Sequence, residues 1–137
     1  MFTYLDNALG INWLQNGAVT SSTTPAGVDL VNAVGPVLMA IQVPSGGTGT
    51  LSIQPVMATD NTTFVNVPAD AILNPVTGVP GYTIPNVVGS AGGKVQFGLK
   101  RDELMRYLSV TLAPVGAVSV TVNAIELHLQ SYTSLSV

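Results

Sequence analysis

Val118, Val120, Val122 and Ala124 fall on one face of an extended segment, with Ser119, Thr121 and Asn123 on the other. A period of two marks a half-buried strand, because successive Cβ atoms point to opposite faces of a sheet. The same alternation runs through Val37, Met39, Ile41 and Val43, resumes at Leu51, Ile53 and Met57, and recurs at Val95, Phe97 and Leu99 and at Leu108, Val110 and Leu112. Between these runs stand clusters of turn formers at residues 44–49, 58–63 and 113–117. Twenty valines, fourteen threonines and fourteen glycines suit pleated strands joined by tight turns, and helix signals are nearly absent. The expected fold class is all-β: an antiparallel β-sandwich of jelly-roll or Greek-key topology with long Pro/Gly-rich loops.

Finer expectations follow from the same pattern. Residues 37–43 and 51–57 read as a hairpin with a long glycine loop, and residues 107–125 as a second hairpin around Pro114 and Gly116. Pro55 has no N–H to give a ladder, so its strand should be an edge there, or bulged. Asp60 and Asn61 predict Asx-turns ahead of a short strand near Phe64-Val65-Asn66-Val67. Residues 68–93, with Pro68, Pro75, Pro80 and Pro85, predict a wandering connection with short strands at Tyr82 to Ile84 and around Val87. The apolar phase moves from even to odd numbers at Ile125, Leu127 and Leu129, as a bulge or a change of covered face would require. No internal repeat is visible. The 137 residues are read as one sandwich domain, with residues 1–27 a candidate extended arm.

Eleven residues carry charge, 8% of the chain against about a quarter in an average soluble domain, and 47% are apolar. A surface so poor in charge calls for cover by a membrane, a large oligomer or an assembly lattice. The membrane is disfavoured, because the uncharged stretch 107–125 alternates and is broken by Pro114 and Gly116. Residues 1–10 carry Asp6 and lack a basic start and an apolar run, so no signal peptide is expected. Four basic residues and a net charge of −3 cannot build a phosphate-neutralising stripe, so no nucleic acid is expected. Five of the eleven charges fall within seven residues: Lys100, Arg101, Asp102, Glu103 and Arg106.

Catalytic and metal chemistry finds little footing. Cysteine is absent, which excludes disulfides and thiolate ligands, and His128 is the sole histidine. No G-x-S-x-G ties a serine to it. Adjacent Asp102 and Glu103 cannot easily flank one scissile bond. Gly89-Ser90-Ala91-Gly92-Gly93-Lys94 departs from a phosphate loop in its glycine spacing and in Val95, where Ser or Thr would bind Mg²⁺, and reads as a flexible turn. Asn61-Thr62-Thr63 fits a glycosylation pattern but reads as a polar turn without a secretory signal. The internal Lys-Arg-Asp-Glu-Leu is not C-terminal and carries no retention meaning. No catalytic residue, metal or cofactor is expected.

Asp6, Gln15, Ala18-Val19-Thr20-Ser21 and Val28-Asp29-Leu30, then the strands 37–43 and 51–57 with the polar loop 58–64 ending in Phe64, resemble the layout of the small jelly-roll capsid cement, or decoration, proteins of tailed bacteriophages. Phe97-Gly98-Leu99, Arg106-Tyr107-Leu108 and the closing strand 118–129 extend the likeness over most of the chain. Where that family commonly has a proline and glycine, this chain has Lys100-Arg101-Asp102-Glu103-Leu104-Met105, long enough for one helical turn. The resemblance implies a non-enzymatic virion protein made in the host cytoplasm. It would sit on the capsid exterior and clamp adjacent subunits of the major capsid protein, as a homo-oligomer with a trimer favoured.

The alternatives are another phage structural module, at the head–tail junction or in a tail fibre, and a carbohydrate-binding β-sandwich in which Trp13 or Tyr82 would stack on sugar. An enzyme with His128 as base ranks third. The charged cluster reads as a solvated turn before a strand or, from its mixed signs, as pairing at a subunit contact or its rim. The interface candidates are therefore Lys100, Arg101, Asp102, Glu103, Arg106 and Tyr107, with Arg106 foremost.

Overall fold

A computed structural model describes residues 8–31, 33–115 and 120–131, giving the backbone alone for β1 up to Ala18 and for several positions of β10. Ten strands follow in order among the described residues: β1 (Ala8–Val19), β2 (Val28–Asp29), β3 (Ala33–Val43), β4 (Thr50–Ala58), β5 (Val65–Asn66), β6 (Ile72–Leu73), β7 (Val87–Val88), β8 (Gly93–Leu99), β9 (Tyr107–Val115) and β10 (Val120–Ser131). Two 3₁₀ turns, Ala69–Ala71 and Arg101–Glu103, punctuate them.

One sheet runs β1-β10-β3-β8-β6 and the other β2-β9-β4-β5, with β7 also on the far edge of β4. With the two-residue β6 and β7 set aside, the first strand pairs with the eighth, the second with the seventh, the third with the sixth and the fourth with the fifth, all antiparallel. Nested pairing of this kind is one long hairpin rolled over on itself, with its limbs alternating between two sheets. The fold is a jelly-roll sandwich.

Two expected hairpins are corrected by this topology. β3 and β4 lie in different sheets, as do β9 and β10, so neither pair hydrogen-bonds. Alternation establishes a strand but not its partner. Residues 44–49 carry the chain across the ~10 Å between packed sheets instead of turning it back within one. Tyr82 to Ile84 is not a strand either; between Pro80 and Pro85 the segment packs Tyr82 and Ile84 on the edge of the core. The segment expected as an arm contains β1, which pairs with β10, and Thr23, which bridges to Leu112 alongside β9; residues 1–7 lie outside the described residues.

Other local expectations hold. Pro55 accepts a hydrogen bond from Val67 N–H at 3.0 Å on the side away from β9. Its missing donor therefore faces the gap between β7 and β5, where β4 is an edge. The phase change in β10 is also present: Val120 and Val122, then Ile125 and Leu127, all enter one core. The ladder to β1 slips between Asn12 and Gln15, opposite Glu126 and Ala124.

The core lies between the sheets. Met39, Ile41, Phe97 and Leu99 from one side meet Leu51, Leu108, Val110 and Leu112 from the other, each fully buried. At about 1.5–3 kcal/mol for each buried aliphatic or phenyl side chain, this layer is the main source of stability.

Candidate functional site

The charged cluster begins where β8 ends. After Leu99, Lys100 N–H bonds Ala71 O at 3.0 Å, and the chain winds through the 3₁₀ turn before β9 starts at Tyr107. The predicted single helical turn is thus present. Buried Leu104 anchors the turn to the core, which leaves Asp102 and Glu103 exposed.

Both arginines bind residues of their own chain. Arg106 grips Asp29 in a two-point pair, Nε to Oδ1 at 3.0 Å and Nη2 to Oδ2 at 2.9 Å, and its guanidinium lies 5.3 Å from the Tyr107 ring centre. Arg101 sends Nη2 to Leu30 O at 2.8 Å and Nη1 toward Leu104 O at 3.4 Å, while its Nε is buried without a partner. Leu30 N–H in turn bonds Arg106 O at 2.7 Å. The segment following β2 is therefore clasped from three directions by residues 101–106. Lys100 pairs locally with Glu103 at 3.6 Å.

Electrostatics follow this geometry. The hydrogen bonds from Arg106, helped by Val31 N–H, hold the Asp29 carboxyl below its ordinary 3.8, and the same pairing raises Arg106. Asp60 is likewise lowered, by Thr63 and Thr62 N–H at 2.9 Å each, as the predicted Asx-turn requires. Asn61 takes a left-handed φ of 58° and accepts Gly27 N–H at 2.7 Å, so its amide is engaged in joining two loops.

Of the six sequence candidates, Arg101 and Arg106 are brought together around residues 29–31, Tyr107 lies beneath Arg106, and Lys100 and Glu103 pair beside them. Asp102 points to solvent. Next to the cluster a groove of about 530 Å³ runs between Lys100–Asp102 and Val31, Ala33 and Pro36. Past Leu73 it meets a second groove of about 390 Å³ under the loop that carries Val76. That loop is closed on itself by Asn74, whose Oδ1 accepts Val76 and Thr77 N–H, and it displays Val76 at 90% exposure. No local pattern of residues signals this groove, because its walls come from β3, β6 and the 3₁₀ turn.

Gly92 leaves no space for a phosphate: a Cβ there would lie 2.6 Å from Ser45 N and Val43 O, since the neighbouring loop fills the site. Among the described residues no group of three His, Cys, Asp or Glu could hold a metal, and no helix is long and apolar enough to cross a membrane. The His128 and Trp13 side chains lie outside the described residues. No described aromatic side chain is exposed; Tyr82 is half-buried. No family model matches the chain, nor does any curated protein or solved structure.

Proposed function

We propose that this chain is a capsid cement, or decoration, subunit: a non-enzymatic virion protein that binds the assembled shell through the major capsid protein, acting as a homotrimer. The observation that carries this reading is a charge-poor jelly roll with valine at six exposed positions, Val31, Val65, Val76, Val79, Val88 and Val115. Apolar side chains left in water on a surface with so few charges suit an interface, whose core is depleted in charge. The resemblance in layout to phage cement proteins points the same way.

Light scattering on the purified protein and co-sedimentation with expanded shells of the major capsid protein from the same genome test the reading together. A trimer that decorates the shells and raises their disruption temperature is expected. A monomer at micromolar concentration that leaves the shells bare overturns it.

A further inference from the structure

The chain leaves β1 at Val19, opposite Val120, and joins β3 at Ala33, opposite Ser131, so residues 20–31 pass from one end of β10 to the other. β1 and β3 belong to one sheet, yet between them the chain crosses to the other sheet and runs along the outer edge of β9, on the side away from β4. Without this segment β9 would be the last strand of its sheet. Residues 20–31 thus close the flank of the sandwich between β1 and β9.

What holds this strap differs in kind from what holds the sheets. Its only regular structure is the two-residue β2, and Leu30 is its one buried side chain; Pro25, Gly27 and Val28 are half-buried and the rest are exposed. Residues 20–27 supply turn formers and hydroxyls but no large apolar group. The ties are therefore polar and spaced along the length. Thr23 exchanges two main-chain bonds with Leu112, at 2.9 and 2.8 Å, Thr24 and Thr111 share a hydroxyl bond at 2.8 Å, and the buried Ser109 hydroxyl donates to Pro25 O. Asn61 Oδ1 accepts Gly27 N–H, and Arg106 and Arg101 hold the Asp29 carboxylate and Leu30 O. Each such bond replaces one that the group makes to water, so its net contribution is small, whereas a continuous apolar layer joins the two sheets. A segment with few buried apolar contacts and exposed hydrogen bonds opens before the core does.

We infer that residues 20–31 are a latched strap: they open from β9 as a unit while the two sheets stay closed, and the grip of Arg101 and Arg106 on residues 29 and 30 sets how often they open. The latch sits where Leu30 enters the core. Opening frees the outer edge of β9, with Leu112 N–H and O, together with the two guanidinium groups. The inner edge is undisturbed, because successive residues of a strand turn their main-chain groups to alternate sides: Leu112 faces the strap and Thr111 faces β4.

Amide hydrogen exchange on the full-length protein, resolved by residue with NMR and corrected for intrinsic rates, tests this. The N–H groups of Thr23, Gly27, Leu30 and Leu112 are expected to exchange within about tenfold of one another and at least about a hundredfold faster than the adjoining Thr111 N–H. Urea below the unfolding transition should scarcely change those four while it speeds Thr111 steeply, because opening the strap exposes little surface and unfolding exposes much. Arg106→Ala should speed the four at least about tenfold; if thermal melts show that it does not fold, Arg106→Lys, which keeps the charge and loses the two-point grip, takes its place. Exchange of the four at the rate and urea dependence of Thr111 overturns the inference, since the strap then opens only with the whole fold. Exchange at the rate of an unfolded chain overturns it too, because no closed strap then exists. Unchanged exchange in the Arg106 variant overturns the latch.

Discussion

At the scale of single residues, Arg101 and Arg106 do related but distinguishable work. Arg101 reaches a main-chain oxygen of Leu30, with part of its guanidinium out of water. Its charge-assisted bond predicts that Arg101→Ala costs about 1.5–3 kcal/mol, read from urea unfolding, with the unpartnered Nε keeping the loss toward the lower figure. Asp29 and Arg106 are more exposed, and their contribution is best seen in pH dependence. Because the folded carboxyl sits below its ordinary 3.8, its stabilising effect is complete above that value and is lost as pH falls through the folded one. Asp60 acts in the same direction. The urea midpoint should therefore hold level down to about pH 5 and fall below about pH 4, with a shallower acid limb in Asp29→Asn. The density of charge at 100–106 was legible in the sequence; its partners were not, because Asp29 and Leu30 lie some seventy residues earlier and arrive only through the pairing of β2 with β9.

At the scale of elements, the alternating runs named nearly every long strand, since a period of two is written in the residues themselves. Partners were misread for β3 with β4 and for β9 with β10, because a glycine-rich loop of six residues serves an in-sheet turn or a crossing between sheets equally well. The two-residue strands β6 and β7 exist only by virtue of β8 and β4 beside them, and β6 left no mark in the sequence. The loop closing β7 to β8 was expected to be a flexible turn, and is instead locked against residues 44–49. Gly92 has a φ of 67° with backbone atoms where a Cβ would go. Gly92→Ala should thus cost more than the ~1–2 kcal/mol of left-handed strain alone, measured by thermal and urea unfolding, while Gly46→Ala, with open space around it, should show strain only.

At the scale of the whole molecule, what matters is where the few charges lie. Nested pairing brings residues 29, 60, 70 and 100–106 to one end, although they are spread over much of the chain, while Lys94 stands at the other end beside loops of glycine, serine and threonine. A contact made through the Val88-Thr50-Val115 row, in register across β7, β4 and β9, should depend little on salt. Shell binding measured across a roughly tenfold range of ionic strength should change less than about twofold, whereas docking through Lys100–Arg106 would weaken markedly as screening increases.

The residues alone determined that this chain is built of strands, where most of the long ones run, and that it carries little charge. Those properties are local or additive: side-chain period, turn chemistry and composition need no knowledge of distant neighbours. Tertiary structure decided which strands pair, that the arginines clasp their own chain, and that most of the described charges collect at one end. These depend on contacts between segments far apart in sequence, which the packing of two sheets around one core selects.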